Sequence, residues 1–176
     1  KITNWLASTD EKLNKFKVLS IYYDKLAQQN EDCQAIVNDI NGQQSNINEF
    51  VSHGQSLVNR FSASDSLFIR QKVETVQSKY NDIRQRANDK LDHIKASLTL
   101  AQKFYAAHDQ LNQWMDLTEE KLQQLDALSL SQQNNIITSI EGEVPNKRRL
   151  LESLNNLGSE FARCSPGQGA TTVNGM

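Results

Sequence analysis

His53, His93 and His108 are the side chains of this sequence best suited to metal ligation or proton shuttling. They do not cluster in sequence, and no two of them stand at a metal spacing such as HxxxH or HExxH. They read as surface or boundary residues. The two cysteines, Cys33 and Cys164, are far apart in sequence and lack CxxC spacing; they are not a disulfide framework, and a reducing compartment fits. Cys33 falls on an apolar stripe and reads as a small core residue. Asp116, Glu119 and Glu120 bring three carboxylates onto one helix. Carboxylates do acid–base work only in a pocket that separates their pKa values, and the surface of a slender bundle supplies none. Lys147, Arg148 and Arg149 form the one basic cluster, a weak footprint for an acidic surface and more simply a solvated helix face. No Gly-rich phosphate loop, GxSxG turn or EF-hand loop occurs. The expectation is a chain with no catalytic, cofactor-binding or metal-binding residues and no enzymatic activity.

The remaining distinctive residues are Trp5 and Trp114, the two tryptophans. A related phrase follows each: Leu6-Ala-Ser-Thr-Asp10-Glu-Lys-Leu13 after the first, Met115-Asp-Leu-Thr-Glu-Glu-Lys-Leu122 after the second. The offset is 109 residues. A second match pairs Phe50, Gly54 and Ile47 with Leu154, Gly158 and Leu151 at an offset of 104. Self-similarity at such a period marks a tandem repeat. The difference between the offsets places five extra residues in the first copy, within Phe16 to Tyr23.

The elements that carry these repeats are helices. Neither Gly nor Pro occurs between Gly54 and Gly142. Inside that stretch Ile69, Val73, Val76, Tyr80, Ile83 and Ala87 recur at steps of three and four. Leu91, Ile94, Leu98 and Ala101 continue the stripe with a slight phase shift, and Phe104, Ala107, Leu111 and Trp114 carry it on. Ser64-Asp65-Ser66 supplies capping oxygens. One helix is expected from about Ser66 to about Leu128, on the order of 90 Å at roughly 1.5 Å per residue. Cys33, Ile36, Ile40, Gln43, Ile47, Phe50, Gly54, Leu57 and Phe61 keep the same rhythm earlier, and Ile137, Ile140, Val144, Lys147, Leu151, Leu154, Gly158 and Phe161 repeat it later. The expected order is helix A1 (about 1–16), B1 (22–62), C1 (66–103), A2 (104–128) and B2 (131–163). Pro145 is expected to kink B2 or delay its start, because an interior proline removes a backbone bond and clashes with the turn before it. Residues 164–176, with Pro166, Gly167 and Gly169, read as a turn or frayed end.

Composition agrees with a bundle of large surface. Hydrophobic residues are 38% and charged residues 23%, with a formal net charge of −2, so no basic footprint for nucleic acid or anionic membrane exists. Runs such as Gln132-Gln-Asn-Asn135 read as solvated helix face. There is no apolar run long enough for a transmembrane helix. Lys1-Ile-Thr-Asn-Trp5 is neither a signal peptide nor an initiator sequence, so the chain reads as processed or cut from something longer.

A three-helix unit of this period, with helix C running into the next helix A and a Trp in helix A, resembles the spectrin repeat. The junction Leu98-Thr-Leu-Ala101-Gln-Lys-Phe104-Tyr-Ala-Ala-His108-Asp-Gln-Leu111-Asn-Gln-Trp114 carries that pattern, and Phe50-Val-Ser-His-Gly54-Gln-Ser-Leu57 resembles the end of its helix B. The wording is most similar to spectraplakin rods, with dystrophin-like and nesprin-like rods next. Tyr80 stands where relatives often carry Trp in helix C, and Lys90 where Arg is common. The resemblance implies an all-α, up-down-up three-helix bundle over residues 1–103 and a partial second repeat over 104–163, joined by a continuous helix. It implies a rod or spacer segment of a cytoplasmic linker between actin and microtubules or membrane attachment sites. Its partners would be neighbouring repeats, with actin and microtubules engaged through other parts of the protein, and no nucleic acid or membrane insertion. The alternative is an interaction module in which a repeat surface, or the open A2–B2 pair, binds a partner.

Overall fold

The computed structural model describes residues 1–61 and 63–164. Five helices make up the architecture: α1 (Ile2–Asn14), α2 (Tyr23–Gly42), α3 (Gln44–Val58), α4 (Ala63–Gln123) and α5 (Leu130–Cys164). Among the described residues there is no strand. The fold is all-α, as the apolar spacing requires. Two compact units emerge: one from Lys1–Leu19 and Asp24–Ala96, the other from Ser20–Tyr23 and Ser97 onward. Helix α4 supplies residues to both.

The first unit is a three-helix bundle of α1, α2 with α3, and α4. Each helix turns one stripe inward. Leu6, Thr9 and Leu13 come from α1, followed by Phe16 in the turn after it. Leu26, Cys33, Val37, Ile40 and Ile47 come from α2 and α3. Val73, Val76, Tyr80, Ile83, Ala87, Leu91 and Ile94 come from α4, and all are buried. The steps of three and four keep these side chains on one face at 3.6 residues per turn.

Helix α1 ends in a 3-10 turn, Lys15–Lys17, where Phe16 leaves helical geometry (φ −88°, ψ 31°) and Val18 becomes extended. Helix α4 ends the same way, with a 3-10 turn at Leu125–Ala127 and an extended Leu128. The links that follow are braced by glutamines one repeat apart. Gln29 Nε2 donates to the Val18 carbonyl at 3.1 Å. Gln133 Nε2 donates to the Leu125 and Leu128 carbonyls at 2.9 and 3.2 Å. Gln132 Oε1 accepts from the Ser129 backbone N–H at 3.1 Å and from its hydroxyl at 2.9 Å, the Gln arm of a capping box that starts α5. The glutamine-rich run read as plain solvated surface thus begins with two residues that shape a helix start.

Several boundaries differ from the sequence reading. The expected helix B1 is divided at Gln43 into α2 and α3. The Tyr80 hydroxyl donates to the Ile40 carbonyl at 3.0 Å. Gln43 N–H donates to the same carbonyl and to that of Asp39, each at 3.2 Å. A side chain thereby takes up a carbonyl that the helix ladder would use, and the turn tightens there. The long helix starts at Ala63 and ends at Gln123, five residues short of Leu128. Its phase shift buries Ser97, where Leu98 was expected. Helix α5 begins at Leu130 and runs on through Gly142 and Pro145, so proline neither delays nor ends it. Pro145 is exposed, and water can satisfy the carbonyl it leaves without a donor. The extra residues of the first copy fall between Phe16 and Leu26: a longer link and one more turn, Tyr23 to Lys25, at the start of α2. The expected cap Ser64-Asp65-Ser66 falls inside the first turns of α4 and not ahead of it, and the tail after Cys164 lies outside the described residues.

Gly54 sets how closely α3 and α4 approach. A Cβ at this position would overlap Val73 Cγ2, nearer than real Cβ contacts come. Gly54→Ala is expected to cost about 1–3 kcal/mol through overpacking. Urea denaturation checks this, and Val73→Ala in the same chain should recover part of the loss.

Candidate functional site

The residues that repeat with the strictest geometry are the tryptophans. Trp5 Nε1 donates to Asp39 Oδ2 at 3.0 Å. Trp114 Nε1 donates to Glu143 Oε2 at 2.7 Å. The donors are related by the 109-residue offset and the acceptors by the 104-residue offset, so both offsets meet in one recurring contact. Each places an indole of helix A against a carboxylate of helix B. Neither indole is fully buried, although Trp114 stands on the apolar row. The ring covers apolar surface while its N–H stays at the rim on a charged acceptor, which suits an amphipathic side chain.

The surroundings of the two rings differ. In the first unit Trp5 lies 6.4 Å from Tyr80, centroid to centroid, at an interplanar angle of 34°. Tyr80 is buried, and its single O–H is shared between the Ile40 carbonyl and Gln44 Oε1, the latter at 3.1 Å. Arg84 reaches the same oxygen at 2.9 Å and places its guanidinium carbon 5.7 Å from the Tyr80 centroid. Burial pushes the Tyr80 phenol pKa up, with the Arg84 charge opposing. In the second unit Lys147 Nζ stands 5.8 Å from the Trp114 centroid, a cation–π arrangement. The basic cluster is therefore split: Lys147 is half-buried against an indole, and Arg148 and Arg149 are exposed.

The other chemistry-bearing residues stay apart. Among the described residues no group of three or more His, Cys, Asp or Glu side chains is placed to hold a metal ion. His108 stacks on Phe104 with centroids 6.5 Å apart and lies 3.3 Å from Asp109. Asp116, Glu119 and Glu120 are exposed on α4. Arg86 bridges Asp10 at 2.6 Å and Asp82 at 3.2 Å, a link between α1 and α4 that the sequence reading missed. Asp10 chiefly, then Asp82, raises the arginine pKa further. These groups are nearly half exposed, so solvent screening leaves the pair worth about 0–1 kcal/mol.

Cys33 is fully buried, its Sγ 4.0 Å from the Ala87 carbonyl. Burial pushes the thiol pKa up, opposed by Lys90 and Lys95. A neutral, enclosed thiol is a poor nucleophile. Cys164 is partly exposed.

The second unit carries an open apolar face. Met115 and Leu122 on α4 are 46% and 48% exposed, and Ile137, Val144 and Leu151 on α5 are 39%, 37% and 45% exposed. At the same offsets the first unit has Leu6, Leu13, Cys33, Ile40 and Ile47, all buried. In that unit α4 is the third helix of the bundle.

Removing each indole N–H tests the recurring contact. Trp114→Phe is expected to cost about 1–2 kcal/mol, and Trp5→Phe, on a more exposed acceptor, under about 1 kcal/mol. Chemical denaturation measures both, and a Trp114→Phe chain as stable as the parent would remove the contact from the stability account. Thiol labelling tests the cysteines. Cys164 should react with a maleimide in the native chain at neutral pH, and Cys33 only at the rate of unfolding.

A family model described as Spectrin repeat matches residues 1–96. Microtubule-actin cross-linking factor 1, isoforms 6/7, of Mus musculus is 27% identical over 122 residues, 69% of this chain. The Homo sapiens protein of the same description is 25% identical over 121 residues, also 69% of the chain. Autophagy-related protein 17 of Candida glabrata is 23% identical over 148 residues, 83% of the chain. The matched stretch spans 4% of the mouse cross-linking factor, 3% of the human one and 31% of the autophagy-related protein. No solved structure matches the chain significantly.

Proposed function

Because the chain belongs to the spectrin repeat family, we propose that it is a spacer segment of a cytoskeletal linker, load-bearing and without chemistry of its own. The observation that carries this reading is α4, an unbroken helix of 61 residues that supplies side chains to both compact units. A helix holds its hydrogen bonds nearly parallel to its axis, so tension along it loads them together. Residues 1–103 serve as one whole repeat in this reading, and 104–163 as helices A and B of a second. The likeness to microtubule-actin cross-linking factors suggests a cytoplasmic, cytoskeletal setting. Actin and microtubules would then be held elsewhere in the protein. Among the described residues no helix is long and apolar enough to cross a membrane.

Two measurements test the spacer role. Held by its termini in an optical trap, the chain is expected to unfold and refold repeatedly with full recovery of length. It is also expected to stay in the supernatant when actin filaments or microtubules are sedimented. Co-sedimentation with either filament at micromolar concentration would replace the spacer with a direct binding role.

A further inference from the structure

In the first unit the 3-10 turn that ends α1 meets the middle of α4 around a pocket of about 420 Å³. Its floor is apolar, formed by the buried Leu13 and Phe16. Its walls are cationic. Lys17 comes from the turn, and Lys90 and His93 come from one face of α4. Arg86 also lines the pocket, but Asp10 and Asp82 already meet its charge. Asp89, the one carboxylate that lines the pocket without facing Arg86, accepts from Gln85 Nε2 at 2.8 Å. Among the described residues neither Lys17 nor the half-buried Lys90 is paired with an acid. Two unbalanced cations thus share one concavity on a chain whose net charge is −2.

Lysines after a helix can serve merely to offset its dipole. The second copy shows that this fold does not require them. The 109-residue offset sets Lys15-Phe16-Lys17 against Gln124-Leu125-Asp126, and the second turn is also 3-10, with an acid where Lys17 stands. An apolar residue recurs between the copies and the cations do not, so the charge belongs to the first unit and not to the repeat.

We propose that this pocket binds a small phosphate monoester, with its anionic head between Lys17 and Lys90 and its organic part over Leu13 and Phe16. A phosphate monoester carries nearly two negative charges and three acceptor oxygens at neutral pH. Two ammonium groups supply matching charge, and the His93 ring and Asn14 amide supply further N–H donors at the rim. The C-terminus of α1 opposes an anion with roughly half an elementary charge, less than either lysine contributes. The pocket lies within the range of roughly 300–1,000 Å³ typical of small-ligand sites. The proposal stands independently of the spacer role.

Titrating the whole isotope-labelled chain with phenyl phosphate, at fixed ionic strength, tests this through amide chemical shifts. The amides of Lys17 and Lys90 are expected to shift and to saturate in the millimolar range. Inorganic phosphate should move the same amides severalfold more weakly, and phenol should not move them. Lys17→Asp, which installs the acid of the second copy, and Lys90→Gln should each weaken binding by about tenfold. Lys121→Asp, on the second helix A, should leave it unchanged. Circular dichroism of the three variants should match the parent. Shifts that fail to saturate by about 50 mM overturn the proposal. So does a Lys121→Asp chain weakened as much as Lys17→Asp, which would mark diffuse attraction to charge. Inorganic phosphate binding as tightly as the ester overturns it too, because the apolar floor would then play no part.

Discussion

Burial of one apolar stripe along α4 is the constraint from which the first unit follows. Val73, Val76, Tyr80, Ile83, Ala87, Leu91 and Ile94 are each nearly inaccessible, and no other helix contributes so many buried side chains in unbroken succession. At about 1.5–3 kcal/mol for each large apolar side chain withdrawn from water, the stripe outweighs every polar contact around it. The Arg86–Asp10 bridge, by contrast, is worth at most about 1 kcal/mol. Polar contacts here fix register. Tyr80 selects where helix B tightens, the indoles fix helix A against helix B, and the glutamines at 29 and 133 fix the links.

The long stripe also explains the local change of phase. A straight helix drifts by about 20° per heptad against a repeat of 3.5, so an apolar row along 61 residues cannot keep one spacing throughout. The buried positions take successive steps of four from Ile83 through Ala87 to Leu91, then of three through Ile94 to Ser97, before resuming at Ala101 and Phe104. The division between the compact units falls there, between Ala96 and Ser97. In the second unit Tyr105 Oη approaches the Ile21 carbonyl at 3.4 Å, and Gln102 Nε2 donates to Tyr23 Oη at 2.9 Å. Ile21 and Tyr23 lie in the stretch that lengthens the first repeat, so the added residues furnish part of the second unit.

Periodicity made the helices legible, and identity between copies made the repeat legible. Both survive because burial of large side chains dominates the energy. What periodicity could not reveal depends on single polar atoms. The turn at Gln43 goes with a bond to the Ile40 carbonyl from a hydroxyl forty residues away in sequence, at position 80. The passage of α5 through Pro145 depends on that residue facing solvent. Ser97 displaced Leu98 because a three-residue step is as good a helical neighbour as a four-residue one, and composition alone favoured leucine. The indole–carboxylate contacts left a trace that was available: Asp39 and Glu143 stand at the helix-B offset while Trp5 and Trp114 stand at the helix-A offset. Aligning acidic residues as well as apolar ones would have found them.

The placement of the two indoles has an optical consequence. Each compact unit holds one tryptophan, and the chain has no others. Trp5 sits beside a phenol ring and Trp114 beneath an ammonium group, two environments that perturb an excited indole differently. The chain therefore carries a native emitter in each unit, and the melting of either can be followed in its fluorescence without any label.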